Sequence, residues 1–517
     1  HQAVAGALQG LHNSVHLEGL EEIIKGIYLN LSSVTASPAS LEEIRHALLT
    51  FKESGKFIYA YSEGYTQGAY YLASTADKVF LHKYGEMDFK GLSFEIMFYK
   101  GLLDKLGVEM QVIRHGQFKS AVEPYMLDKM SAANRKQMET LANSIWGTML
   151  EDISASRGIT VDSLNYFADQ LIPANANEAL AHRFVDGLMY ASDFEDTLKH
   201  LVGLKEKENL HFVNLSAYAK DAAPLYESKN NADKIAIVYA VGEIIDGKGN
   251  DETIGSVTLC QDIREAYEDD DVKAIVLRVN SPGGSALASE VIWHEIELAK
   301  AAGKIVVTSM GDYAASGGYY ISCNSDAIVA EPNTLTGSIG VFGLLPNIQH
   351  FLKNKLGVTT DVAKTNAHSD YATLTKPLDP TERARIQAMV EETYALFPSR
   401  VAAGRGLAVA NVDSIGQGRV WAGSDALKIG LVDRLGHLDD AVQLAAEMAK
   451  LSSYSVAYYP KKTEWFEKFF NMNDDEDSHV RMLKAELGDL YEPYAALRKV
   501  MNAKGTQARL PFELIIK

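Results

Sequence analysis

The 517-residue sequence predicts an α/β protein made by tandem duplication, followed by a helical C-terminal extension. Apolar runs typical of buried strands alternate with amphipathic helical stretches, which is the pattern of parallel βαβ units. Several segments recur later in the chain at an offset of roughly 250 residues, which is too long for a solenoid repeat. We therefore expect a first repeat over 1–230, a second over 231–450, and a helical extension over 451–517.

The internal repeat rests on four pairs of segments that share this offset. They are GIYLNL (26–31) with AIVLRV (274–279), SGKFIYAYSEGYTQGAYYLASTADKVFL (54–81) with AGKIVVTSMGDYAASGGYYISCNSDAIVA (302–330), LLDKLGVEMQV (102–112) with FLKNKLGVTTDV (351–362), and ALAHRFVDGL (179–188) with ALKIGLVDRL (426–435). The second copy opens with an extra strand, at 234–247, whose counterpart would precede His1. We therefore expect a front-truncated first repeat and an upstream segment that carries a membrane anchor.

Helical periodicity locates the longer helices. The stretch SLEEIRHALLTFKES begins with Ser40 and Glu43, which have the spacing of a capping box, and its apolar residues lie along one face. Two further long helices are predicted near 131–156 and 379–404. In the extension, the aromatic stretch TEWFEKFF (463–470) is expected to pack against the body of the protein or another subunit rather than lipid.

Composition excludes several classes of function. The net charge of −18, without a clustered basic block, argues against a nucleic-acid partner. The two cysteines, Cys260 and Cys323, have no metal-ligand spacing and are expected to be buried free thiols. The sequence contains no uncharged apolar stretch of about 18 residues, which is the pattern that predicts a membrane-spanning helix. No cofactor and no metal are expected.

The stretch GDYAASGGYYIS (311–322) contains the candidate nucleophile, Ser316, directly after a predicted buried strand. A serine needs an adjacent base, and no histidine is near in sequence. The first copy has Gln67 where the second has Ser316, and the second has Ser369 where the first has Lys119. These complementary differences predict one composite site, with Ser316 as nucleophile and Lys119 as base from the other repeat.

Lysine can act as a base only when its pKa falls from about 10.4 toward neutrality, which burial favours because it penalises the ammonium form. A dry interface between the repeats would provide that environment. A neutral Lys119 could then take the proton of Ser316 during attack on a carbonyl and pass it to the leaving amine.

Acyl transfer also needs hydrogen-bond donors for the developing oxyanion. The stretch RVNSPGGSA (278–286) ends a predicted strand, so the N–H groups of Gly283 and Gly284 are candidate donors, and the Gly317 N–H is a third. In TLTGSIGVFG (334–343), Ser338 is a candidate for orienting the lysine amine. The chemistry is thus concentrated in the second copy.

Together, VNSPGGS, MGDYAASGGYYIS, TLTGSIGVFG and FKSAVEP within a tandem duplication resemble the bacterial signal peptide peptidase A family, of the protease IV type. The resemblance implies that each copy has the fold of Clp protease and crotonase. It also implies that Ser316 and Lys119 form a Ser-Lys dyad, that Ser338 positions the lysine, and that Gly283 lines the oxyanion hole. Members form homotetramers on the outer, periplasmic face of the bacterial cytoplasmic membrane, tethered by an N-terminal helix, and degrade released signal peptides.

Three alternatives remain at this point. In a Ser-His hydrolase, His368 would replace Lys119 as the base. In a crotonase-like CoA-thioester lyase or isomerase, the oxyanion hole would act without a nucleophile, and no covalent adduct would form at Ser316. In a membrane-protein scaffold, the duplicated fold would serve assembly alone.

Overall fold

A computed structural model describes residues 24–213, 215, 233–250, 252–460 and 506–509. The α-helices in these residues are α1 (Pro38–Lys52), α2 (Gln67–Ala73), α3 (Lys100–Leu106), α4 (Glu123–Met126), α5 (Ala132–Arg157), α6 (Val161–Asp169), α7 (Ala176–Ala181), α8 (Ala191–Leu201), α9 (Ser256–Glu268), α10 (Ala286–Ala301), α11 (Gly317–Ser322), α12 (Gln349–Phe351), α13 (Pro380–Arg405), α14 (Val409–Ile415), α15 (Gly423–Lys428) and α16 (Leu438–Met448). The long helices predicted near 131–156 and 379–404 are confirmed as α5 and α13.

The strands form three sheets. They are β1 (Gly26–Asn30), β2 (Phe57–Tyr65), β3 (Lys78–Met87), β4 (Glu109–Arg114), β5 (Gly187–Leu188), β6 (Lys234–Val241), β7 (Glu243–Ile245), β8 (Thr253–Gly255), β9 (Val272–Ser281), β10 (Gly283–Ser285), β11 (Ile305–Ala315), β12 (Ala327–Ala330), β13 (Leu335–Gly337), β14 (Phe342–Asn347), β15 (Val420–Ala422), β16 (Arg434–Leu435), β17 (Ser455–Tyr459) and β18 (Thr506–Arg509).

The duplication is visible in the first two sheets. The first repeat has a parallel sheet in the order β1-β2-β3-β5. The second repeat has the order β15-β13-β11-β9-β6-β17, and β12 and β16 extend it beside β11. Strands β1 and β2 correspond in sequence to β9 and β11, whereas β6 is the extra opening strand of the second copy. The expected α/β architecture is therefore confirmed in both copies.

The third sheet joins the two repeats, with the strand order β4-β14-β18-β10-β7-β8. Strand β4 of the first repeat pairs antiparallel with β14 of the second, and Arg114 lies opposite Phe342. The residues that follow β4 therefore lie against the second repeat. This pairing brings the predicted base to the predicted nucleophile.

Buried apolar side chains form a core for each repeat. The core of the first also includes Ala315, Leu335, Val420 and Ala422 from the second, so the two repeats share a packed boundary. Cys260 and Cys323 are buried free thiols, as predicted. Burial raises the pKa of the Cys323 thiol to about 12, so it is not a nucleophile near neutral pH.

The capping box predicted at the start of α1 was wrong. The N-cap residue is Ser37, and Pro38 occupies the first turn. The Ser40 backbone N–H and hydroxyl both donate to Asp312 Oδ1, at 3.0 and 2.7 Å, and Glu43 pairs with Arg278. Both side chains therefore bind the second repeat, because contacts across the boundary outweigh local capping.

A helical extension was predicted over 451–517, but the secondary-structure elements described in this range are β-strands. Residues 455–459 form β17, which pairs in parallel with β6, and residues 506–509 form β18. The stretch TEWFEKFF lies outside the described residues. Within the described residues, none of the helices combines the length and apolar composition that crossing a bilayer requires.

Candidate active site

Ser316 lies at the turn where β11 ends and α11 begins. Its backbone has φ +55° and ψ −113°, a conformation that a residue with a side chain rarely adopts. The Ser316 N–H donates to the Gly337 carbonyl at 2.8 Å, and the side chain is fully buried. Such strain persists only where surrounding contacts hold it, and it is common at functional sites.

Lys119 reaches this serine from the first repeat. It follows β4 and precedes a short 3-10 turn at Ser120–Val122. Lys119 Nζ lies 2.8 Å from Ser316 Oγ, 3.0 Å from Ser338 Oγ and 3.2 Å from the Ser338 carbonyl oxygen. The fold therefore brings Lys119 next to Ser316, which is 197 positions away in sequence, and next to Ser338, which is 219 positions away.

Burial governs the charge of Lys119. The side chain is wholly buried, and this holds the pKa of its amine well below the usual range of lysine. Its three hydrogen-bond contacts within the described residues are two hydroxyls and one carbonyl, so no carboxylate among these residues is bound to it to favour the ammonium form. A neutral amine at this position can accept a proton.

Ser338 also has an unusual backbone, with φ +51°. Its N–H donates to the Arg419 carbonyl at 2.7 Å, and its hydroxyl lies 3.4 Å from the Gly418 carbonyl. The residue is fully buried. These contacts fix the hydroxyl beside the lysine amine.

Two glycines missed by sequence reasoning shape the lysine site. Gly418, with φ +81°, is so close to Lys119 that a Cβ atom would lie 2.6 Å from Lys119 Cβ. A Cβ on Gly340 would lie 3.2 Å from Lys119 Cδ. Gly418 follows Gly416 in a short loop, and a lone glycine pair gives no sequence signal for a role at a distant lysine.

The candidate oxyanion donors lie around the serine turn. Gly283 has φ +100°, and a Cβ there would lie 2.8 Å from Gly317 N. Gly283 and Gly317 are therefore neighbours in space as well as candidates in sequence. Gly284 is paired within the third sheet, opposite Ile244 and Ala508. Their roles as donors stay predictions.

The equivalent positions of the other copy carry different contacts. Gln67 Oε1 accepts from the N–H groups of Lys90 and Gly91, at 3.1 and 3.0 Å. The Ser369 hydroxyl accepts from the Asn366 N–H at 3.1 Å in an exposed loop. Each repeat thus supplies one member of the Ser316 and Lys119 pair, whereas Gln67 and Ser369 form hydrogen bonds within their own repeats.

His368, the alternative base, lies elsewhere in the structure. Its Nδ1 is 3.2 Å from Asp379 Oδ2 and 3.6 Å from Glu382 Oε1, and 44% of its side chain is exposed. Among the described residues, it makes no hydrogen bond with Ser316, which is fully buried. The geometry therefore favours Lys119 over His368 as the partner of the serine.

Comparison with known proteins places the chain among peptidases. The model of "Peptidase family S49" matches twice, over residues 50–205 and 298–452. The chain is 42% identical to Protease 4 of Salmonella typhi, over 84% of the chain and 71% of that protein. It is 37% identical to Protease 4 of Haemophilus influenzae, over 90% and 75%.

A plant protein is also similar. The Serine protease SPPA, chloroplastic, of Arabidopsis thaliana is 32% identical over 83% of this chain and 64% of its own length. The two family matches fall one in each repeat, so the duplication found in the sequence is a duplication of the peptidase domain. From these matches, the chain belongs to peptidase family S49 and is a serine peptidase.

Proposed function

We propose that this chain is a serine endopeptidase whose catalytic dyad is Ser316 and Lys119, and that its substrates are signal peptides already released from their preproteins. The observation that carries the dyad is the 2.8 Å distance between Lys119 Nζ and Ser316 Oγ, at a lysine that is wholly buried. The resemblance of the sequence to signal peptide peptidase A supports the substrate class.

In the proposed reaction, the neutral amine of Lys119 takes the hydroxyl proton of Ser316 as Oγ attacks the peptide carbonyl. Ser338 holds the amine in line with Oγ through its hydroxyl and its carbonyl. The N–H groups of Gly283 and Gly317 stabilise the oxyanion. The resulting ammonium protonates the leaving amine. Water then attacks the acyl-enzyme carbonyl and gives a proton to Lys119, and the bond to Ser316 Oγ breaks as Lys119 returns that proton to the serine oxygen.

The strand pairing around the serine supports an extended, apolar substrate. In the third sheet, strands β10 and β14 are separated by the width of one strand, next to the Ser316 turn. An extended peptide can bind such edges through main-chain hydrogen bonds. Apolar side chains near this position include Val341, Ile386 and Val390. The apolar region of a signal peptide, about 7 to 15 residues long, suits this environment.

We also propose, from the resemblance alone, that the enzyme works as a homotetramer at the bacterial cytoplasmic membrane, with its catalytic part on the periplasmic face. An N-terminal anchor upstream of the given sequence would provide the tether. Light scattering of the purified chain measures the first point: a mass of four chains supports it, and a monomer at micromolar concentration contradicts it.

The test of the dyad is hydrolysis of a synthetic signal peptide by the wild type, Ser316→Ala, Lys119→Ala and His368→Ala. Ser316→Ala and Lys119→Ala should each lose about 10³-fold or more in kcat, while His368→Ala should retain wild-type activity. Circular dichroism and thermal melting of each variant provide the control for folding. A fluorophosphonate probe should label the wild type at Ser316 and leave Ser316→Ala unlabelled.

Each alternative outcome has a distinct meaning. An active, folded Lys119→Ala enzyme would show that the base is another residue. An active Ser316→Ala enzyme without probe labelling would favour an oxyanion hole that acts without a nucleophile. Activity restored by mixing the two inactive variants would mean that a dyad forms between subunits.

A further inference from the structure

A cavity of about 590 Å³ opens in the first repeat. Its polar lining consists of Lys52, Asp77, Ser156, Arg157, Arg183 and Asp186. Asp77 directly precedes β3 and Asp186 directly precedes β5, so the cavity lies at the amino ends of these parallel strands. Gln67, the counterpart of Ser316, follows the carboxyl end of the neighbouring strand β2. The cavity is therefore at the opposite edge of the sheet from that position, and the proposed mechanism does not use it.

The cavity has one more positive side chain than negative ones. Lys52 Nζ pairs with Asp77 Oδ1 at 2.9 Å, and Arg157 Nη1 pairs with Asp186 Oδ2 at 3.0 Å. Each of the two carboxylates also accepts a backbone N–H at 2.8 Å. Arg183 is exposed, and its guanidinium forms neither an ion pair nor a hydrogen bond with the residues that the structure describes. Arg183 is therefore the surplus cation of the cavity.

Arg157 has a second unused donor. Only 8% of its side chain is exposed, and its Nη2 donates to the Arg183 carbonyl at 3.3 Å. Its Nε is buried and has no hydrogen-bond partner among the described residues. A buried N–H that lacks a partner is uncommon, because leaving it unpaired costs free energy. An anion bound in the cavity that Arg157 lines would supply an acceptor oxygen.

The second repeat contains the same two ion pairs. Lys300 Nζ lies 3.1 Å from Asp326 Oδ1, and Arg405 pairs with Asp433. Both pairs link helix ends to the starts of strands, as their counterparts do in the first repeat. The ion pairs therefore belong to the fold of both copies, and they do not by themselves indicate a ligand.

The two copies differ at two positions around this cavity. Arg183 has φ +64°, and the repeat places it opposite Gly430, which has φ +78°. This backbone conformation favours glycine, so the arginine is held there at a cost, which is common for functional residues. Ser156, which lines the cavity, corresponds to Gly404, where a Cβ atom would lie 2.2 Å from the Cys323 oxygen. The helix of the second copy thus packs closely where a serine side chain would not fit.

We propose that the cavity of the first repeat binds a phosphate group, with Arg183 and Arg157 as hydrogen-bond donors and Lys52 as a further positive charge. Phosphate oxygens accept paired hydrogen bonds from guanidinium groups, and a tetrahedral anion can accept from two arginines at once. The group can belong to a free phosphate or to the headgroup of an anionic phospholipid. The inference does not use Ser316 or Lys119, so it is independent of the proposed function.

The test is isothermal titration calorimetry of the purified 517-residue chain with sodium phosphate at constant ionic strength. Arg183→Gly introduces the residue of the second copy and keeps the left-handed backbone unstrained. It should weaken binding about tenfold or more, because it removes a charged donor. Arg183→Asn also tolerates this conformation and should have the same effect. The control is Arg385→Ala, which removes an exposed arginine outside the cavity and should bind phosphate like the wild type. Circular dichroism confirms the folding of each variant.

Sedimentation with phosphatidylglycerol vesicles distinguishes the two sources of the phosphate group. For a lipid headgroup, the vesicles should sediment the wild type and clearly less of Arg183→Gly. For a soluble phosphate, both proteins should sediment equally, while inorganic phosphate still binds more tightly to the wild type. Equal behaviour of the wild type and Arg183→Gly in both experiments would overturn the inference. A similar loss of phosphate binding in Arg385→Ala would overturn it too, because overall charge and not the cavity would then attract the anion.

Discussion

Gly418 and Lys119 are packed backbone to backbone, so that a Cβ atom on the glycine would lie 2.6 Å from both the Cβ and the N of the lysine. Heavy atoms of this kind do not approach so closely, and neither partner here is the free end of a flexible side chain. Gly418 also donates its N–H to the Ile339 carbonyl at 2.7 Å, next to Ser338. It thus acts as a positioning residue for the lysine amine.

Gly418→Ala should therefore move Lys119 and lower kcat by about 100-fold, since displacement of a catalytic group by about 1 Å costs this much. The measurement is kcat on a synthetic signal peptide, with the melting temperature recorded in parallel. The matched control is Gly406→Ala, at φ +63° with no atom within 4 Å of the new methyl group. Equal activity of the two variants would contradict the positioning role.

The activity should depend on pH through Lys119. Burial lowers the pKa of this amine well below its usual range, and only the neutral amine accepts the serine proton. We expect kcat/KM to rise with pH and to reach its plateau well below pH 10, with the same rise in His368→Ala. A rise centred near the ordinary lysine pKa of about 10.4 would be inconsistent with a buried base.

Lys119→Met should be inactive yet more stable than the wild type at neutral pH. Between the lowered pKa of the folded state and the ordinary pKa of the unfolded chain, the unfolded state binds a proton that the folded state does not. The wild type therefore loses stability as pH falls through this window, by up to about 1.4 kcal/mol per pH unit. A methionine side chain does not bind a proton, so the variant does not lose stability in this way.

The measurement for Lys119→Met is urea unfolding at several pH values between neutrality and pH 10. The difference in unfolding free energy between the variant and the wild type should grow as pH falls. A difference that does not change with pH would mean that the amine is protonated in the folded state.

Arg278 and Glu43 form a buried ion pair between the repeats, with 2.8 Å between Arg278 Nη2 and Glu43 Oε2. Arg278→Met should lower the free energy of unfolding by about 3–5 kcal/mol, because it leaves a buried carboxylate without its partner. The double variant Arg278→Met with Glu43→Leu should recover most of this loss. Urea unfolding of the single and double variants measures the coupling.

An exposed pair provides the control for that cycle. Lys100 Nζ lies 2.6 Å from Asp104 Oδ2, and about half of each side chain is accessible to solvent. Lys100→Met should change stability by less than about 1 kcal/mol. Similar losses for the buried and exposed pairs would contradict the importance of burial.

Glu331 should make the protein less stable as pH rises. Burial is the main cause that raises the pKa of its carboxyl well above the usual range, and the nearby Glu43 adds to it. A raised carboxyl pKa means that the stabilising neutral form is complete below the unfolded pKa and is lost as pH rises through the folded pKa. His437 Nδ1 lies 2.6 Å from Glu331 Oε1 and can share its proton.

Glu331→Gln keeps a hydrogen-bonding group at this position and removes the titration. Its unfolding free energy should therefore exceed that of the wild type at pH 8 and approach it near pH 4. Thermal or urea unfolding over this range gives the comparison. A larger stability gap at low pH than at high pH would reverse the sign and reject the explanation.

Much of the fold was predictable because its signals are local. The alternation of apolar runs and helical stretches located α1, α5 and α13, and the shared offset located the duplication. Local signals failed where distant contacts were stronger. Ser40 and Glu43 have the spacing of a capping box, but Asp312 and Arg278 of the second repeat bind them. The segment that forms β18 depends on pairing with β10 and β14, and no local pattern encodes a partner.

The sequence by itself determined the duplicated α/β fold and, through the complementary differences between its copies, the choice of Ser316 and Lys119 as candidates. Only the tertiary structure decided that the two side chains meet at 2.8 Å in a site dry enough to lower the pKa of the lysine. It also decided that Gly418 confines the lysine and that Ala508 lies beside the serine turn. The reason is physical: periodicity depends on residues a few positions apart, whereas burial, proton affinity and strand pairing depend on atoms that only the folded chain brings together.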